Sequence, residues 1–196
     1  MISFLTFRYL LLSMPTLFSL AEDIRKCTAC PLWKGTTLAV PGEGPRDAKI
    51  MVIGEAPGEE EDRQGQPFVG RSGKFLDKML KVAGLDRTTV FITNTVKHHP
   101  PLNRAPRASE IKICKELWLD TQIETLRPKL IILLGGVALK TLTKKTSVEQ
   151  LHGKVLQKEG QNYFVTFHPS AALRFPGNRK KMEEDFKKLK RILEKL

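Results

Sequence analysis

The sequence predicts an α/β fold, a three-layer α/β/α sandwich around a central four-stranded parallel sheet. Two observations carry this. Four short runs, Ile50–Ile53, Val90–Thr93, Lys129–Leu134 and Tyr163–Phe167, are apolar, β-branched or aromatic, and too short for helices. Longer stretches with helical periodicity lie between them, which is the βαβ signature. If all four strands run parallel with right-handed crossovers, the residues that follow them gather at one edge of the sheet. Those residues are Glu55, Asn94, Gly135 and His168.

The elements follow in chain order. Residues 1–13 form an apolar start extension or signal-like segment, with Arg8 inside it and Pro15 just after it. No uninterrupted span there is long enough for a membrane helix. Met14 is the preferred true start, and 14–196 reads as one domain. Leu17, Phe18, Leu20, Ala21 and Ile24 form an amphipathic helix leading to Cys27. The first strand ends in Gly54 and opens into twenty residues, 54–73, holding five glycines, two prolines, the acid run Glu59–Asp62 and the isolated Phe68. That composition is poor for a plain connector and suits a ligand site beyond a strand's carboxyl end. The segment His98–Arg107 is a Pro-rich basic loop. Ser109 is expected to cap a helix that carries Ile111, Cys114 and Trp118 on one side. At the end, 178–196 reads as an amphipathic helix with Met182, Phe186, Leu189, Leu193 and Leu196 on its apolar face.

Apolar content of 41% and charged content of 28% describe a globular chain rather than a disordered one. The net charge of +12 suits a polyanionic partner, nucleic acid before membrane, and on charge alone equally a Lys-rich solvated surface. No heptad pattern suggests an oligomer, so a monomer is expected. Three cysteines occur, Cys27, Cys30 and Cys114. Cys27-x-x-Cys30 reads as half of a metal site rather than a disulfide framework.

Taken together, Gly54-Glu-Ala-Pro-Gly58, Gln66-Pro-Phe68-Val-Gly70, Thr93-Asn94 and His168-Pro-Ser170 resemble the motifs of the family 4 uracil-DNA glycosylases. These are the iron–sulfur members of their superfamily. The resemblance runs from about Cys27 to Phe175. It implies an enzyme that flips uracil out of DNA, cuts its N-glycosidic bond and leaves an abasic site, working in the cytoplasm on uracil-containing DNA. Gly54, Glu55, Ala56, Phe68, Asn94 and His168 would form the uracil pocket. Phe68 would stack on the base, and Asn94 would pair with its N3–H and O4. His168 would donate to O2 of the departing base. Relatives carry an Asp at the position of Ala56, so Glu55 becomes the candidate water-activating carboxylate, with Glu61 and Asp62 behind it. Glu61 is also the candidate for excluding the thymine methyl. Gly44, Gly135, Ser170, Leu173 and Arg174 would touch DNA, with Leu173 or Arg174 as the wedge into the helix.

The family pattern has four cysteine ligands, the third in a Lys-Cys-Arg-Pro-Pro context. This chain reads Lys97-His98-His99-Pro100-Pro101 there. The resemblance then implies Cys27, Cys30, His98 and Cys114 as ligands of a 4Fe–4S cluster. Three Cys and one His also make a common structural zinc set, and His99 or no fourth ligand are further possibilities. Two other readings stand beside the enzyme. One is a divergent member that traps its product covalently through His98 or His99. The other is a non-catalytic DNA-binding module, polymerase-associated for instance.

Overall fold

The computed structural model describes residues 15–195. The expected start extension at 1–13, Met14 and Leu196 lie outside the described residues. Helix α1 spans Leu17–Arg25 and opens with a capping box, in which Thr16 Oγ1 accepts from the Ser19 N–H at 3.1 Å. Next come β1, Ile50–Gly54, the short α2, Glu59–Gln64, and α3, Arg71–Val82. β2 is Phe91–Asn94. α4, Ala108–Cys114, runs through a π-helical turn at Lys115–Leu119 into α5, Asp120–Leu126. β3 is Leu130–Leu134, followed by α6, Gly136–Thr143, and α7, Val148–Leu151. β4, Val155–Lys158, and β5, Gln161–Thr166, precede α8, Pro169–Arg174, and α9, Pro176–Leu193.

The sheet has five strands rather than four, in the order β2-β1-β3-β5-β4. The four expected strands are parallel, and β4 pairs antiparallel with β5 at the edge. Glu159 and Gly160 join β4 to β5 with φ of 51° and 79°. Positive φ at both positions is the geometry of a tight hairpin turn matched to strand twist.

Alternate side chains of each strand enter opposite cores. Val52, Leu130, Ile132 and Phe164 pack with Phe75, Leu76 and Leu80 of α3 and with Met182, Phe186 and Leu189 of α9. Met51, Ile53, Ile131 and Leu133 pack with Leu17 and Leu20 of α1, Leu126 of α5 and Leu139 of α6. Because both faces are covered, the strands read as continuous apolar runs.

Two expected helix ends move. α4 begins at Ala108, one residue before Ser109, and is capped by the buried carboxylate of Glu110, which accepts from the Arg107 N–H at 2.7 Å. α9 begins at Pro176, because a proline costs nothing at the first helical position. Among the described residues no helix is long and apolar enough to cross a membrane.

Candidate active site

β1 lies at the point where the chain's crossovers change direction, first to β2 and then back to β3. Gly54 is level with Asn94, and Leu134 with Thr166, so the carboxyl ends of these strands share one edge. A cleft of about 380 Å³ opens there. Its lining includes Glu55, Ala56, Phe68, Asn94, His168 and Arg104.

Phe68 is held by unusual means. Its backbone sits at φ 53°, a left-handed conformation that costs a bulky residue free energy. Surrounding groups enforce it. Glu61 Oε1 accepts from the N–H of Val69 and of Gly70, both at 2.8 Å, while its Oε2 accepts from the Gly58 N–H at 3.1 Å. The Arg87 guanidinium donates to the carbonyls of Pro67 and Phe68, and to Glu43 at 2.7 Å and Asp77 at 3.1 Å. Gly73 leaves room, since a Cβ there would stand 1.6 Å from the Phe68 carbonyl oxygen. Gly54 does the same for the aromatic ring, whose Cζ would lie 2.5 Å from a Cβ.

Asn94 ends β2 and is 1% exposed. His168 follows β5 and caps α8. Its Nδ1 accepts from the Ser170 N–H at 3.2 Å and lies 2.7 Å from Ser170 Oγ. A backbone N–H can only donate, so Nδ1 is the bare nitrogen and Nε2 carries the proton of the neutral ring. Burial pushes the His168 pKa down to about 4, which keeps the ring neutral near pH 7. Among the described residues two buried side-chain polar atoms lack a hydrogen-bond partner: Asn94 Oδ1 and His168 Nε2. Buried polar groups are nearly always paired, so an orphan acceptor and an orphan donor on one cleft mark where a ligand's polar edge belongs.

Glu55 lies just past β1. Its peptide is fixed by the Val96 N–H, which donates to its carbonyl at 3.2 Å. Burial raises the pKa of its carboxyl. Of the other two acids of the sequence reading, Glu61 lines the cleft and Asp62 does not, and both have their oxygens engaged by backbone N–H groups. Glu61 is spent on the Phe68 turn, and Asp62 accepts from the Thr37 N–H at 2.9 Å, tying the N-terminal segment to α2.

The expected DNA-contacting residues fall in different places. Ser170 and Arg174 line the cleft. Leu173 is 41% exposed and Phe175 53%, while Ala172 just before them is buried in the core. Gly135 backs onto His168, where a Cβ would meet the His168 Cβ at 2.9 Å. Gly44 is not brought to the cleft. It packs on the amino end of β2, where a Cβ would lie 2.2 Å from the Val90 carbonyl oxygen.

Arg104, Asn103 and Lys97 were not singled out from sequence. Arg104 enters the cleft and is clamped by Glu110, its Nη1 and Nη2 donating at 2.8 and 2.7 Å. Lys97 is wholly buried beneath Asn94, and burial lowers its pKa to about 8. The only signal for Arg104 was the basic character of its Pro-rich loop. Lys97 gave none.

The three cysteines converge. Cys30 and Cys114 are buried in one small cluster with Leu32 and Val96, and Trp118 Nε1 donates to Cys27 Sγ at 3.2 Å. Burial raises the Cys30 and Cys114 pKa values, Cys114 to about 11, and the neighbouring thiols add to the rise. Thiols crowded where their charged forms repel suit a cation that would neutralise them. His98 is buried and shares a second cleft with Cys27. Among the described residues no three His, Cys, Asp or Glu side chains stand at metal-binding separation. The donor set fits a thiolate-liganded centre in its chemistry, with Trp118 as a donor to sulfur.

The fold and cleft define a doubly wound α/β protein whose cleft carries an unpartnered buried acceptor and an unpartnered buried donor. The family model described as the uracil DNA glycosylase superfamily matches residues 41–194. A type-4 uracil-DNA glycosylase of Saccharolobus solfataricus is 46% identical over 92% of this chain and 88% of its own length. The type-4 uracil-DNA glycosylases of Sulfurisphaera tokodaii and Thermotoga maritima are 45% and 42% identical, over 91% and 89% of this chain and 86% and 93% of their own lengths. The chain belongs to the uracil-DNA glycosylase superfamily, in its type-4 branch.

Proposed function

We infer that this protein is a monofunctional uracil-DNA glycosylase of DNA repair, which turns uracil out of DNA and hydrolyses its N-glycosidic bond to leave an abasic site. The supporting observation is the pair of unpartnered atoms, Asn94 Oδ1 and His168 Nε2, on the cleft that Phe68 lines. A base inside a duplex cannot be reached, so it must be extruded into a pocket. Phe68 gives the extruded ring a stacking face, worth about 1–3 kcal/mol. Asn94 Oδ1 accepts the uracil N3–H, and its amide donates to O4. Cytosine presents the opposite pattern and is rejected by the fixed amide.

Breaking the C1′–N1 bond leaves the electron pair on uracil and positive character on the sugar. The unpartnered His168 Nε2–H is the donor offered to uracil O2 on this reading, and a neutral donor there would stabilise the leaving anion by about 3 kcal/mol, on the scale of an oxyanion-hole contact. Glu55 takes a proton from the water that adds to C1′. Its raised pKa makes it a better base than an exposed carboxylate. Ser170 and Arg174 contact the backbone of the flipped strand, with Leu173 filling the gap left by the base.

Cys27, Cys30, His98 and Cys114 hold a 4Fe–4S cluster on this reading, with zinc as the alternative. Such a centre would supply structure rather than chemistry, cross-linking the N-terminal segment, the Pro-rich loop and α4. The protein acts as a cytoplasmic monomer on uracil-containing DNA. Incubation with a uracil-containing oligonucleotide followed by alkali tests the function. Strand cleavage at uracil without a stable adduct is expected. Intact strands would refute it, and a protein–DNA adduct that survives denaturation would favour covalent trapping through His98 or His99.

A further inference from the structure

Lys97 is 0% exposed, and its ammonium donates to three neutral oxygens: Thr93 Oγ1 at 2.7 Å, the Asn94 carbonyl at 2.8 Å and Gln122 Oε1 at 2.7 Å. The ring of bonds closes through Pro41, whose carbonyl accepts from Thr93 Oγ1 at 2.9 Å and Gln122 Nε2 at 2.8 Å. No carboxylate bonds to this ammonium among the described residues. Taking an ammonium out of water costs several kcal/mol even after relaxation. A Met of similar volume would fill the site without that cost. The charge therefore has a use other than packing, and its bonds show where it acts. Two of the three go to the residues that end β2, and one grips the peptide from which the Asn94 side chain projects. The side-chain oxygen of Asn94 has no partner to orient it. Its direction is set by its backbone and by its closeness to Gly54, where a Cβ would stand 2.4 Å from Asn94 Oδ1.

We propose that Lys97 is a positioning residue for base selection, its buried ammonium fixing the Asn94 peptide so that the side-chain amide meets the edge of uracil. This rests on the glycosylase reading above. Lys97 also lies close to Cys114, near enough for the two groups to interact electrostatically. The same residue thus couples the base reader to the segment of the metal centre.

The test is a double-mutant cycle on single-turnover uracil excision, with Asn94→Ala, Lys97→Met and the pair. Lys97→Met should slow excision by about tenfold to a hundredfold, the scale of a misplaced reactive contact. Binding to DNA carrying a tetrahydrofuran abasic analogue should stay within about twofold, as expected when only a base contact is disturbed. On the Asn94→Ala background Lys97→Met should cost nothing further, because it acts through that side chain. Additive losses, or a parental rate in Lys97→Met, would overturn the proposal while leaving the glycosylase reading intact. A parent protein that leaves uracil in place would overturn both. If Lys97→Met does not fold, Gln122→Leu removes one of the three acceptors and is judged by the same cycle. It should show a smaller loss that again vanishes with Asn94→Ala, and additivity there would equally sink the idea. Metal content and melting temperature, measured on each variant, separate positioning from damage to the fold.

Discussion

Phe68 and His168 face each other across the cleft with ring centroids 5.9 Å apart and planes tilted by 36°. A ring sandwiched between two others needs about 7 Å, twice the contact distance of ~3.5 Å between carbons. The two residues therefore cannot both stack on a base. Phe68 offers a face and His168 an edge donor, which divides recognition from leaving-group stabilisation. That division makes the contribution of each residue separable.

Asn94→Asp should weaken discrimination against cytosine, because a protonated or reoriented carboxyl can satisfy the opposite donor pattern. Asn94→Ala should instead lose rate on uracil and gain nothing on cytosine. Excision rates on paired uracil and cytosine substrates decide this. Parental behaviour in both variants would reduce Asn94 to a residue that ends a strand.

His168→Ala should lower the single-turnover rate by about a hundredfold or more, with little change in DNA affinity. The pH dependence adds a second check. Burial depresses the His168 pKa from 6.5 to about 4, so the folded protein favours the neutral ring. Stability from this group is present above 6.5 and is lost as pH falls from there towards 4, where the native ring also takes up a proton. Denaturant midpoints of His168→Ala should accordingly fall less steeply across that window than those of the parent. Excision should show no inflection from His168 between roughly pH 8 and pH 5, because the donor stays neutral there.

Gly73→Ala should disturb the stacking face without touching the cleft. A Cβ at Gly73 would lie 1.6 Å from the Phe68 carbonyl oxygen and 2.1 Å from its carbon, so the turn must move. A loss of about 1–3 kcal/mol in stability is expected, as for other overpacked sites, together with slower excision. Gly177→Ala in α9 has no atom within 4 Å and serves as the control. It should be neutral or slightly stabilising. If both glycine variants behave alike, the Phe68 turn is more pliable than its bonding implies.

What was legible in the sequence follows from periodicity, and what was not follows from partners distant in the chain. The apolar runs around Val52 and Ile132 predict buried parallel strands, and a parallel register then brings Glu55, Asn94 and His168 to one edge. β4 was missed because Val155–Lys158 is short, half-exposed and alternating, although Glu159-Gly160 carries a hairpin signal. Glu61 does line the cleft, yet its oxygens are consumed by the N–H groups of Gly58, Val69 and Gly70. That assignment depends on the fold of the following turn, which no local pattern reveals. A lysine such as Lys97 reads as solvated in any sequence, and only the closure of Thr93, Gln122 and Pro41 around it shows otherwise. Cys114 meets Cys30 in one buried cluster although the two lie far apart in the chain, a meeting that depends on tertiary packing rather than on any local pattern.

Binding to DNA should weaken as salt rises. A chain of net charge +12 that clamps phosphates releases counterions. The slope of log affinity against log salt on duplex should be about −0.9 per contacted phosphate. Arg174→Ala should flatten that slope by about one contact, while Asn94→Ala should leave it unchanged, since a base contact releases no counterion. Titrations at several salt concentrations would show this, and affinity independent of salt would contradict the basic-surface argument.

The proposed metal centre gives the sharpest test, because His98 is the one proposed ligand that is not a cysteine. Protein purified without oxygen should be brown, with broad visible absorbance that air or dithionite bleaches. Zinc has a filled d shell and would give a colourless protein. His98→Cys should keep the centre and make it harder to lose, because thiolate is the usual cluster ligand. His98→Ala should shed metal more readily and loosen the Pro-rich loop that places Asn103 and Arg104 in the cleft. Cys27→Ala should cost folding stability as well, since it removes both a candidate ligand and the acceptor of the Trp118 Nε1 bond at 3.2 Å. Iron and zinc analysis with thermal melts reads all three variants. A colourless preparation holding one zinc and no iron would replace the cluster while keeping the ligand set. An equally stable metal site in His98→Ala would remove His98 from that set and turn attention to His99, which bonds Asn103 Oδ1 at 3.0 Å.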